Sequence, residues 1–355
     1  MRVLFIDVSL TGHHKTYLSS LLSRFSDTCL VFLSNDVMEG VPSICHFNIP
    51  FNPNSFFSYL NMIIRLRQVA RKFEPEIIHF LYGDAFYRFF GIGLRRLYPK
   101  AKIVVTCHQF RRSWLRDFSY RRIGSTTDAL VVHTEKLKKY LGDLGIKKVH
   151  HVEYPQFGNS KQVDKQEALR VLGVKDEGKK VLLVLGGTRK SKGLDILLNA
   201  LKHVQLPFHL IIAGKEEYFK RSYILSQIES YRENVSLFLE FLSDEKFGLC
   251  LNAADIIVLP YRRSFDGASG PLGEGVWHYK MIVGPAHKSL GDIIRSNHLG
   301  KTFKSEDVED LRDMLCDAIK TEWVPDEKYL EYRQSLDPAL FQKKYMKLYS
   351  DLTAK

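Results

Sequence analysis

Apolar positions in the first half of the chain gather into short, β-branched runs at Val3-Leu10, Cys29-Leu33, Ile77-Leu81, Ile103-Thr106, Ala129-His133 and Val149-Val152, with helix-like segments between most of them. Strands that read as continuous apolar runs separated by helices predict a parallel sheet covered on both faces. The pattern breaks over Tyr154-Lys180, where Pro155, Gly158, Gly173 and Gly178 punctuate a polar stretch, and then restarts. The second series is VLLVLGG from Val181, HLIIAG from His209, VSLFLEF from Val235, ADIIVLP from Ala254, MIVGP from Met281 and GKTF from Gly300. The fold class is therefore α/β, with two tandem doubly wound, Rossmann-like domains, spanning 1–160 and 161–336. In such sheets ligands bind at the carboxyl ends of strands, so a shared ligand is expected in the cleft between the domains. The last stretch, 337–355, carries apolar residues at Leu340, Phe341, Tyr345, Leu348, Tyr349 and Leu352 and reads as a helix whose one apolar face must pack on something already built.

Composition changes this picture little. The 355 residues are 45% hydrophobic and 26% charged, an ordinary folded make-up. The five cysteines are scattered without a Cys-x-x-Cys pair, and the His13-His14 and His150-His151 doublets lack the spacing that puts two imidazoles on one helical face, so no metal site is expected. No apolar run approaches the length that spans a bilayer, and MRVLFIDVSL lacks a secretory cleavage pattern, which together predict a cytoplasmic protein.

Charge adds more. The net charge is +12, and 22 basic against 12 acidic residues stand before position 160. The excess concentrates in 51–122, where 14 basic residues face 4 acidic ones among Phe56, Phe57, Phe86, Phe89, Phe90, Trp114, Phe118 and Tyr120. One reading is amphipathic helices with solvated Arg faces and a core stripe of Phe56, Leu60, Ile63, Ile64 and Phe73. The other is a surface of aromatic and Arg side chains offered to anionic lipid, on the inner face of the cytoplasmic membrane. Nucleic acid is disfavoured, because no recognition-helix, zinc-finger or RNP pattern accompanies the charge.

Three loops carry candidate chemistry. After the first strand, Gly12 and His13 lie in a turn that leads into a helix, where backbone can approach an anion closely. No Gly-x-Gly-x-x-Gly is present, which disfavours a nicotinamide enzyme. The second domain opens with LGGTRKSKGLDILLNAL, in which Arg189 and Lys192 at a strand end can neutralise a diphosphate. In ADIIVLPYRRSFDGASGPLGEGVWHYKMIVGP, Ser269 and Gly270 offer backbone N–H groups at a helix start. Glu274, read as lying in that helix's first turn, can accept hydrogen bonds from two sugar hydroxyls, and Asp266 precedes it by eight residues.

These segments, with TCHQ after a first-domain strand, resemble the nucleotide-sugar glycosyltransferases of the GT-B fold, specifically glycosyltransferase family 4. The resemblance implies that Arg189 and Lys192 hold the donor's diphosphate, that Glu274 binds ribose and that Asp266 fills the first acidic position, where the family usually has Glu. It implies that His108 lies near the transferred sugar and that Ser269-Gly270 matches the Ser-Gly step of one subgroup. Gly187 stands where Arg is common, and GHH replaces a double glycine in the first loop. The implied activity is transfer of a sugar from a nucleotide diphosphate sugar to a glycan or lipid-linked acceptor, retaining and metal-independent. No cofactor is implied, and the closing helix is expected to cross back to the first domain. Two alternatives share the architecture: a sugar-nucleotide 2-epimerase, and a non-catalytic membrane or nucleic-acid binding protein on a decayed fold.

Overall fold

The computed structural model describes residues 1–8, 13–23, 25, 27–33, 45–89, 91–108, 112–156, 162–175, 177–265 and 269–354, with the backbone alone at 13–16, 45 and 46. The chain divides into two compact units, Met1–Tyr154 with Pro338–Lys355, and Pro155–Asp337. The division falls ahead of residue 160 because Gln156 already donates its N–H to Leu336 O, at 3.0 Å, inside the second unit.

The first unit holds a seven-stranded sheet in the order β3-β2-β1-β4-β5-β6-β7, every neighbouring pair parallel. Its strands are β1 (Val3–Asp7), β2 (Thr28–Phe32), β3 (Cys45–Asn48), β4 (Ile77–Phe80), β5 (Lys102–Cys107), β6 (Ala129–Val132) and β7 (Val149–His151). The strand order reverses between β1 and β4, and β1, β2, β4 and β6 are buried at every position, as strands covered on both faces must be. Strand β3, sequence CHFN, is absent from the apolar runs read above. It is an edge strand, paired on one side only, and needs no continuous apolar run.

Helices α1 (His13–Leu22), α2 (Phe56–Phe73), α3 (Trp114–Thr126) and α4 (Glu135–Asp143) cover this sheet. Ser55, Ser113 and Thr134 start the last three by accepting an N–H from the third residue onward into their side chains. The fully buried face of α2 is Tyr59, Met62, Leu66, Val69 and Ala70; of the stripe expected from sequence, Ile63 and Phe73 pack against this core while only partly buried. Phe56 and Ile64 are instead exposed at 42% and 59%. Both series satisfy helical spacing, and only packing against the sheet selects one.

The second unit carries six parallel strands in the order β10-β9-β8-β11-β12-β13. These are β8 (Lys180–Leu185), β9 (Phe208–Ala213), β10 (Val235–Phe238), β11 (Ile256–Val258), β12 (Met281–Pro285) and β13 (Gly300–Phe303). Helices α5 (Lys165–Leu172), α6 (Leu194–Leu201), α7 (Arg221–Gln227), α8 (Asp244–Ala253), α9 (Gly270–Trp277), α10 (Lys288–Ser296), α11 (Val308–Lys320) and α12 (Glu327–Ser335) pack as two apolar layers on its faces. The order reverses between β8 and β11, so the crevice outside their carboxyl ends is where a doubly wound sheet takes its ligand.

The last helix, α13 (Pro338–Thr353), belongs to the first unit and buries Phe341, Tyr345, Leu348 and Tyr349 there. Among the described residues no helix is long and apolar enough to cross a membrane.

Candidate active site

At the β8/β11 reversal the chain leaves β8 through Gly186, whose φ of 100° suits glycine. A Cβ there would stand 2.3 Å from Lys192 Nζ, because the lysine folds back over the strand end and donates to Leu185 O at 3.2 Å. Its ammonium sits 5.7 Å from the centre of the Tyr261 ring. Burial, with the nearby Arg189 charge adding, pulls the Lys192 ammonium down to about 8, and Glu217 opposes that shift.

The two loops that flank the crevice are fastened together. Gly193 has a φ of 63°, and a Cβ on it would meet Pro260 O at 2.0 Å, so only glycine lets the β8 loop lie against the β11 loop. Arg262 then donates its backbone N–H to Ser191 O at 3.0 Å and Nε to Lys190 O at 3.1 Å, and its guanidinium pairs with Asp195. Arg189 lies on the outer side of the loop, exposed, with Nε 2.8 Å from Glu217 Oε2.

Ser269 caps α9, its Oγ accepting from Leu272 N at 3.4 Å and lying 3.4 Å from the Tyr261 hydroxyl. Lys192, Tyr261 and Ser269 are thus consecutive neighbours. The helix start offers fewer donors than the sequence suggests: Pro271 has no N–H, and that of Leu272 is taken by Ser269. Glu274 is the fifth residue of α9 and stands beyond its first turn, which holds no acidic residue. It is 5% exposed, so the expected first-turn placement, and with it a simple dipole partnership, does not hold.

In the first unit His108 follows β5. Its Nε2 donates to Leu81 O at 2.8 Å, and its backbone N–H is held by the buried Asp84 carboxylate at 2.6 Å. Asp84 in turn lies 3.7 Å from Arg116. The His108 ring packs on Tyr82, Tyr17 and His133, with centres 5.1, 5.5 and 4.7 Å away.

Beneath that cluster runs a buried chain of hydrogen bonds whose direction is fixed. Val152 O can only accept, so His133 Nδ1 donates to it at 2.8 Å and the neutral ring's Nε2 accepts from the Tyr17 hydroxyl at 3.4 Å. Tyr17 accepts from Tyr345, 2.5 Å away, and Tyr345 from Thr106 at 3.1 Å. Thr106 accepts from His79 Nε2 at 2.8 Å, and His79 Nδ1 from Tyr349 at 2.5 Å. Burial keeps both histidines neutral: His79 is pushed down to about 3 and His133 well below its usual value, with the His108 charge adding in each case.

Of the residues read from sequence, Arg189, Lys192, Ser269, Gly270 and Glu274 come from the carboxyl edge of one sheet, and His108 from that of the other. Gly12 and Asp266 lie outside the described residues, as does the side chain of His13. Tyr261, Glu217 and the His79–Tyr345 network were not singled out by the sequence. Tyr261 follows the strand-end Pro260 directly and could have been read from that position; Glu217 and the network depend on loops and helices far apart in the chain.

Two family profiles match this chain: that described as Glycosyl transferases group 1 over residues 165–336, and that of Glycosyltransferase Family 4 over residues 29–153. None of the curated protein sequences matches it. Among solved structures, a sucrose-phosphate synthase from Thermosynechococcus elongatus is similar at a TM-score of 0.77 and 14% identity, over 100% of this chain and 99% of that one. HepE of Anabaena in complex with UDP aligns at a TM-score of 0.78 and 14% identity, over 99% of this chain and 100% of that one. The apo form of WaaB, a lipopolysaccharide outer core galactosyltransferase, aligns at 0.73 and 14% identity, over 99% of this chain and 100% of that one. At these identities the structural likenesses establish the two-domain fold.

Proposed function

On the premise that the chain is a GT-B glycosyltransferase of the family 4 type, we propose that it moves a sugar from a nucleotide diphosphate sugar to an acceptor hydroxyl, with retention at the anomeric carbon and no required metal or cofactor. The observation that carries the donor assignment is Lys192, a cation folded over the end of β8 at the strand-order reversal, with Arg189 beside it. As the bond from the anomeric carbon to the diphosphate oxygen breaks, negative charge gathers on the diphosphate, where fixed cations stabilise it more than they stabilise the ground state. The acceptor oxygen bonds to the same carbon, and its proton passes to the departing diphosphate.

The remaining roles follow the same assignment. The second unit takes the donor: Ser269 and Gly270 give close backbone approach, and Glu274 receives the ribose hydroxyls. Asp266, also of the second unit, touches the donor sugar. The first unit takes the acceptor and contributes to the donor as well, with His108 orienting the transferred sugar and Gly12 and His13 binding the donor from the first loop. HepE was solved with UDP and, separately, with UDP-glucose, and WaaB is a lipopolysaccharide outer core galactosyltransferase. These relatives support a nucleotide-sugar donor and a place in surface polysaccharide or lipid-linked glycan synthesis. The test is thermal shift with UDP, GDP, ADP and CMP, followed by hydrolysis of the matching nucleotide sugars. One diphosphate should raise the melting temperature by several degrees; stabilisation by none would overturn the donor site.

Docking on an anionic membrane from the cytoplasmic side belongs to the same proposal, because the core absorbs only part of the aromatic residues of 51–122: Tyr59, Phe86 and Tyr120 are buried in it, and others are not. Phe57 and Trp114 are each 81% exposed and Phe118 53%. A run of contacts joins α2 to α3, from Phe56 to Phe89 by ring contact, and from the Arg88 carbonyl to Arg122, whose guanidinium covers Phe118. The exposed rings of Phe56 and Phe118 are thereby linked through Arg88 and Arg122, and aromatic and basic side chains held together in this way are the composition that interfacial lipid binding requires.

A further inference from the structure

Gly187 has no side chain, and the space where one would go is filled. A Cβ on Gly187 would come within 2.7 Å of Glu217 Oε1, so the carboxylate of Glu217, which arrives from the loop after β9, lies directly over the backbone of the β8 loop. The loop that delivers it is held firmly. Thr188 N donates to Lys215 O at 3.1 Å, Glu217 N donates to Thr188 Oγ1 at 2.8 Å, and Tyr218 N and Phe219 N both donate to Thr188 O. From this base the carboxylate reaches Arg189 Nε at 2.8 Å, and its field also reaches Lys192.

The strand-end loop thus presents two cations and one anion. A diphosphate seated against Arg189 and Lys192 would meet a carboxylate already bound to Arg189, and like charges at such range repel. Glu217 is only a third exposed, so water screens that repulsion incompletely.

We infer that Glu217 is an internal counter-charge in the donor site, a stand-in for phosphate that a nucleoside diphosphate must displace from Arg189, and that it sets donor and product affinity downward. The inference rests on the assignment of Arg189 and Lys192 to the donor's diphosphate. Its consequence for turnover is that, once transfer is complete, the carboxylate returns to Arg189 and helps release the nucleoside diphosphate. Its consequence for specificity is that a ligand bearing fewer phosphate charges gains less from displacing it.

The test is calorimetry with the nucleoside diphosphate that stabilises the wild-type protein, using Glu217→Gln, Glu217→Ala and Lys192→Ala, each checked for native circular dichroism. Both Glu217 variants should bind the diphosphate about fivefold more tightly than wild type, a gain that shrinks in high salt. Under steady-state conditions they should show stronger product inhibition. Unchanged or weaker binding by Glu217→Gln, with Lys192→Ala weakened, would overturn the inference and leave the donor assignment standing, since Glu217 would then only hold Arg189 in place. Unchanged binding by Lys192→Ala would overturn the donor assignment and the inference with it.

Discussion

The hydroxyl oxygens of Tyr17 and Tyr345 stand 2.5 Å apart although 328 residues separate them along the chain. Both rings are buried, at 3% and 0% exposure, and the bond is the middle of the directed chain from Tyr349 to Val152. The hydroxyls of Tyr17, Tyr345 and Thr106 each donate once and accept once in it, so deleting any of these three takes a partner from two neighbours.

Tyr345→Phe should therefore destabilise the first unit by about 1–3 kcal/mol, the range for stranding a buried polar group. Urea unfolding measures this, and a loss below a few tenths of a kcal/mol would show that the hydroxyls find other partners.

Acid should act on the same network. His79 in the folded protein is pushed below its ordinary value of 6.5 to about 3, so the unfolded chain binds the proton more readily. Its contribution is complete above pH 6.5 and falls away as pH drops from there toward about 3, as does that of His133, which shifts the same way. In His79→Gln part of that dependence should vanish; a stability curve parallel to wild type over this interval would refute the assignment.

Lys192 predicts a pH dependence of opposite sign for ligand binding. Its ammonium titrates at about 8 in the free protein, and a bound diphosphate favours the charged form. Affinity for the nucleoside diphosphate should fall as pH rises through about 8, and Lys192→Ala should bind weakly at every pH with that step removed. Calorimetry from neutral to alkaline pH checks both.

Glu274→Ala should cost the ability to tell a ribonucleotide from its 2′-deoxy counterpart, if the carboxylate holds the ribose hydroxyls. Competition between the two nucleotides reads this directly. Discrimination equal to wild type would remove Glu274 from that role.

Phe57→Ser combined with Trp114→Ser should leave stability within about 0.5 kcal/mol of wild type, since both side chains are exposed. It should reduce cosedimentation with anionic vesicles at low salt. Wild-type protein that stays in the supernatant under those conditions would count against membrane docking altogether.

The central strands were legible because burial on both faces writes itself into sequence as an apolar run: the runs at Val3, Ile77, Val181 and Ala254 coincide with β1, β4, β8 and β11. The edge strand Cys45–Asn48 was not, since half its surface needs no apolar residue. The α2 stripe was misread at Phe56 and Ile64, which satisfy helical spacing as well as Tyr59 and Met62 do, while its Ile63 and Phe73 do pack on the core. In the candidate site, Arg189 and Lys192 announce themselves by charge beside glycine, whereas Glu217 reads as one more acidic residue in a loop. Only the placement of its carboxylate over Gly187 distinguishes it.

The first unit is assembled from two distant pieces of chain, and the second from one unbroken piece. During synthesis from the amino end, residues 155–337 are all available before Pro338–Thr353 is made. Until α13 arrives, His79 and Phe25 lack Tyr349 and Thr106 lacks Tyr345, so the sheet made first is completed last. A folding intermediate in which α13 has not yet docked therefore contains a second unit that can be complete and a first unit that still exposes the groove α13 will fill. That interval is when this protein is most open to a chaperone or to aggregation, and it ends with its last helix.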